Sequence, residues 1–135
     1  MTTKNKVLLT SLNNQIVESF FKTVTDDQLS EFFDPNILNK EISITNQLQI
    51  TDFISSIKPK KIIHIHDFNT KIDAKFIYEN TVADANIINA AILNKVSEIE
   101  LITNSESDIY FVQNTIEMYK KFSEEHGIII SIRNF

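Results

Sequence analysis

Four short apolar runs punctuate this chain: Lys6 to Thr10 (K-V-L-L-T), Lys61 to His66 (K-I-I-H-I-H), Ile99 to Thr103 and Ile128 to Ile132. Each has the length and β-branched character of a strand buried on both faces. Between them lie stretches with helical apolar spacing. Regular strand–helix alternation of this kind implies parallel strands joined by right-handed crossovers, which place helices on both faces of the sheet. The expected fold is an α/β three-layer sandwich with a mostly parallel sheet of about five to six strands. A ligand crevice in such a fold opens at the carboxyl ends of the strands.

The intervening segments read as follows. Ser11 to Asn14 carry turn and helix-cap chemistry, and Ile16, Val17, Phe20, Phe21 and Val24 then recur at helical spacing, predicting a helix that ends near Asp26. Residues 27–40 suggest one or two helical turns, broken at Asp34-Pro35. Ile42, Ile44, Leu48 and Ile50 alternate with polar residues and predict a half-exposed edge strand. Asp52 would then cap a short helix through Ile57, ended by Pro59. A long helix is predicted from about Asp73 to Lys95, with Phe76, Ile77, Val82, Ala85, Ile88, Ile92 and Val96 as its core stripe. Ile109, Val112, Ile116, Tyr119 and Phe122 mark a last helix, and Gly127 stands where a positive-φ residue would end it.

Composition narrows the function classes. At 135 residues the chain fits one domain, 1–135, and its 42% hydrophobic content with ten Phe can fill a core. Cysteine is absent, excluding disulfides and thiolate metal sites, and no apolar run or leader suggests a membrane span or export; a reducing, cytoplasmic setting is expected. The net charge of −5, with scattered basic residues, excludes a nucleic-acid footprint. Glycine is down to one residue, where a domain of this size carries about nine. Turns must therefore use Asn, Asp and Ser, and a glycine-rich phosphate loop is impossible.

Several segments, in order along nearly the whole chain, resemble the extended short-chain dehydrogenase/reductases that act on nucleotide sugars, particularly the dTDP-dehydrorhamnose reductase type. Thr10 to Val17 (T-S-L-N-N-Q-I-V) stands where that family has T-G-x-N-G-Q-L-G, with Ser11, Asn14 and Val17 in place of the three glycines. Ile50-Thr51-Asp52 resembles D-I-T-D, and Ile57 to Ile65 resembles the K-P-D-V-V-I-H strand, followed here by His66-Asp67 rather than Ala-Ala. Asn80 to Ala91 (N-T-V-A-D-A-N-I-I-N-A-A) aligns without gaps with N-x-x-G-T-x-N-L-L-E-A-A. Glu125 to Arg133 resembles E-x-G-x-x-V-x-I-x-R, after which the family's substrate-binding half has no counterpart.

The resemblance implies a Rossmann-like nucleotide-binding domain. It implies cofactor contacts at Thr10, Ser11, Asn13, Asn14, Gln15, Ile16, Asp52, His66, Asp67 and Asn80, and catalytic positions at Asn104 and Tyr110. The family's Tyr-x-x-x-Lys pair is incomplete, since Asn114 stands four residues after Tyr110 and Gln113 one before it. In the family that Lys lowers the Tyr pKa, and an unassisted Tyr titrates near 10, making it a poor base at neutral pH. The missing glycines obstruct close approach of backbone to a pyrophosphate. His64, His66 and Asp67 invite a metal, but two imidazoles on one strand face do not make a site, and no metal is expected; His66 and Asp67 should emerge into the crevice.

The expected protein is therefore a non-catalytic module without a cofactor, serving regulation, assembly or nucleotide or nucleotide-sugar binding. Its partner would be another protein or a second copy, docked through the last long helices, and neither nucleic acid nor membrane. The rival is an NAD(P)-dependent nucleotide-sugar reductase, epimerase or dehydratase that borrows missing residues from a partner subunit.

Overall fold

The computed structural model describes residues 6–38, 41–66, 73–103 and 118–134. The four apolar runs all form strands: β1 (Val7–Ser11), β2 (Lys61–Ile65), β3 (Glu98–Thr103) and β4 (Ile129–Asn134). Between them lie α1 (Asn14–Phe21), α2 (Asp26–Leu29), α3 (Gln47–Ile57), α4 (Ala74–Leu93) and α5, described over residues 118–126. The strands pair in parallel in the order β1-β2-β3-β4, with Thr10 beside His64, Ile63 beside Glu100 and Glu100 beside Ser131.

On the outer side of β1 the chain makes one further contact. The Val7 N–H donates to the Glu31 carbonyl at 2.7 Å and the Phe33 N–H to the Val7 carbonyl at 3.0 Å, forming a parallel bridge at Phe32. The chain thus leaves β1 toward one side and returns as β2 on the other. An open parallel sheet that reverses in this way has its switch point at that strand.

Strand alternation divides the core in two. Leu9, Ile63, Ile65 and Ile102 pack under Ile16, Val17 and Phe20 of α1. Leu8, Ile62, Ile99 and Leu101 pack on the opposite face against Ile50 and Ile54 of α3, Ala83, Ile87 and Ala91 of α4, and Tyr119 of α5. Each of the Leu, Ile, Val and Phe side chains among them contributes roughly 1.5–3 kcal/mol when fully buried. Helices flank both faces, as expected, and among the described residues the sheet has four strands where five or six were expected.

The missing strand is the segment 42–50. Residues 47–57 are helical, with Ile50 and Ile54 buried one turn apart and Leu48 70% exposed. Asn46, rather than Asp52, caps this helix, its side chain accepting the Gln49 N–H at 3.1 Å; Asp52 lies exposed in mid-helix. α1 stops at Phe21, short of the expected Asp26, and the ambiguous 27–40 stretch supplies only the four-residue α2 and the Phe32 bridge. Asx caps recur: Asn13 opens α1 and Asp73 opens α4, which begins where expected. Positive φ falls at Gly127 as expected, but also at Lys58 and Lys95 rather than at Asn or Ser. Ile109, Val112 and Ile116 lie outside the described residues.

Candidate functional site

A polar cluster is closed inside the α4 face at the carboxyl ends of β1 and β2. Thr10 and His64 are register neighbours, and His66, two residues on, shares their face. α4 lays Asn80 and Asp84, one turn apart, on the side turned toward these strands. All five side chains are at most 1% exposed. Asp84 holds the centre: both carboxylate oxygens lie 2.9–3.0 Å from His66 Nε2, so that nitrogen carries the proton and donates. Thr10 Oγ1 lies 2.8 Å from His64 Nδ1.

His64 Nε2 is 3.5 Å from Asp84 Oδ1, an electrostatic contact longer than a good hydrogen bond. Burial pushes the His64 pKa from 6.5 down to about 4, the Asp84 charge pulls it partly back up, and His66 adds a smaller downward push. His64 is therefore neutral at pH 7. With the Thr10 hydroxyl donating to Nδ1, the remaining proton sits on Nε2 and faces Asp84. Asn80 donates from Nδ2 to the Phe76 carbonyl at 2.9 Å, and its Oδ1 is buried without a partner.

Hydroxyl, imidazole and carboxylate in this sequence have the connectivity of a nucleophile–base–acid relay. Thr10 and His64 are both 0% exposed, however, so no substrate carbonyl can approach the hydroxyl. The arrangement ties β1, β2 and α4 together. His66 turns inward to Asp84 rather than into a crevice, because a carboxylate on the facing helix offers a stronger partner than solvent. Among the described residues no group of three or more His, Cys, Asp or Glu is arranged to hold a metal ion.

Beside the cluster, the β1–α1 turn closes on itself. The Asn13 N–H donates to Ser11 Oγ at 3.2 Å, and Asn13 Oδ1 accepts the Gln15 N–H at 2.9 Å. The Ile16 N–H binds the Asn13 carbonyl at 3.0 Å. Helix N-termini attract phosphate through unpaired N–H groups; here a side-chain oxygen already occupies one of them. No residue of this turn has positive φ. Asn14 and Gln15 are exposed at the first helical positions, while Ser11 and Ile16 are buried.

The structure thus gathers Thr10, His66 and Asn80 around Asp84, and Ser11, Asn13, Asn14, Gln15 and Ile16 into the turn. Asp52 stands apart on the exposed side of α3. Asp67, Asn104 and Tyr110 lie outside the described residues. Asp84 went unnoticed in the sequence, although an acid one turn after Asn80, set among Val82, Ala83 and Ala85, is the signal that exposes it. An open groove lies elsewhere among the described residues, a space of about 950 Å³ at the amino ends of the strands on the α1 face, bordered by Val7, Phe20, Phe32, Lys61, Glu100 and Arg133.

No protein-family model and no curated protein matches this sequence. Solved structures match its fold. The GDP-D-glycero-L-gluco-heptose synthase of Campylobacter jejuni, solved in the presence of NADPH, aligns over 99% of this chain with a TM-score of 0.68 at 15% identity. The GDP-mannoheptose C4 reductase of the same organism, with NADP bound, aligns over 98% with a TM-score of 0.62 at 16% identity. The GDP-L-fucose synthetase of Naegleria fowleri bound to NADP aligns over 98% with a TM-score of 0.63 at 12% identity. The chain spans about half of each, 48%, 48% and 51% of their lengths. The fold is Rossmann-like, of the kind seen in these nucleotide-sugar enzymes. Among the described residues no helix is long and apolar enough to cross a membrane.

Proposed function

We propose that this chain is a non-catalytic Rossmann-like module, related to nucleotide-sugar reductases of polysaccharide biosynthesis, that acts in assembly rather than in hydride transfer. The observation that carries the reading is the self-capped first turn, where Asn13 Oδ1 holds the Gln15 N–H that a pyrophosphate would need. The side chains at Asn14 and Val17, where the resembling family has glycine, support it. Ligand binding without redox chemistry is less favoured, because Asn13 is engaged in the turn and Asn80 is buried on the inner side of α4.

Titration calorimetry of the folded chain with NADPH, NAD⁺ and a GDP- or dTDP-hexose tests this. The expected result is no binding heat from any of them. Micromolar affinity for a nicotinamide cofactor would overturn it and favour the second reading, an NAD(P)-dependent nucleotide-sugar reductase completed by a partner subunit. That reading is supported by the NADPH and NADP in the solved structures that share this fold.

A further inference from the structure

We draw no further inference here: the strongest candidate, the apolar surface stripe of α4 that exposes Ile77, Tyr78, Ala85 and Leu93, carries none because nothing in the structure shows what covers it.

Discussion

On the α4 face of the sheet, Asp84 lies 1% exposed between two imidazoles that are themselves wholly buried, whereas on the α1 face Lys61, Glu98, Glu100 and Arg133 form a string of ion pairs with side chains 14–50% exposed. Lys61 Nζ sits 3.0 Å from Glu98 and 3.5 Å from Glu100, and Arg133 Nε sits 3.1 Å from Glu100. The contact distances on the two faces are nearly the same. Their energetic meaning differs, because water screens one group and is excluded from the other. Taking an ion out of water costs several kcal/mol unless its partners stay in place, so the buried cluster is a place where one lost partner is felt throughout the fold.

The largest effect should therefore come from Asp84→Ala. It removes the acceptor of His66 and the nearest charge to His64, opening a void between α4 and β2. A loss of about 3 kcal/mol is expected, from the His66 N–H left buried without an acceptor and the void left beside it, read as a lowered urea midpoint with an unchanged slope. Asp84→Asn keeps an acceptor for the His66 N–H and should cost clearly less. If Asp84→Ala fell within 1 kcal/mol of the parent, a magnitude normal for exposed pairs, the contrast between the two faces would be gone.

Acid should act on the same cluster. The unfolded chain takes up a proton at His64 near pH 6.5, whereas the folded chain resists it until about pH 4. Between those values the unfolded state binds more protons, so stability is fully present above pH 6.5 and falls as the pH drops toward 4. At 1.36 kcal/mol per unit, the His64 contribution to that loss is about 3 kcal/mol. The charged and titratable neighbours are Asp84 on α4 and His66 just past the end of β2, with the Thr10 hydroxyl on β1 as the remaining polar contact. Stability measured by urea at several pH values should show a slope that His64→Gln makes shallower by about one proton. An identical slope in parent and variant would mean that another group controls the acid response.

These two sites also mark what the sequence reveals and hides. The strands were legible because Leu8, Ile62, Ile99 and their neighbours are apolar on both faces, and that pattern has few other uses. The segment 42–50 was not, since Ile42, Ile44, Leu48 and Ile50 satisfy a two-residue period, while Ile50 and Ile54 satisfy the helical one that tertiary packing selected. What decided between them was Asn46, whose cap on Gln49 a hydrophobic pattern does not register. In α4 the expected stripe correctly took Phe76 and Ile88, but Ile77 is 45% exposed and Ala85 faces solvent. The true buried face includes Asn80, Asp84 and Asn86, polar residues that hydrophobicity assigns to water. Each is kept inside by a specific acceptor or donor: the Phe76 carbonyl, His66 and the Ile44 carbonyl. Thr10, His66 and Asn80 were thus singled out only as cofactor contacts that the resemblance implied, while Asp84, which holds His66, was passed over.

The smallest effect belongs to the α1 face. Lys61→Met keeps the stem that lies along the sheet and removes the charge between Glu98 and Glu100. Because these groups are solvated, the cost should stay at or below about 1 kcal/mol, and it should shrink in molar salt, where screening acts within about 3 Å. The measurement is a pair of urea curves at low and high salt. A cost near 3 kcal/mol that persists in salt, of the size seen when buried pairs are broken, would mean that water does not reach this face in solution.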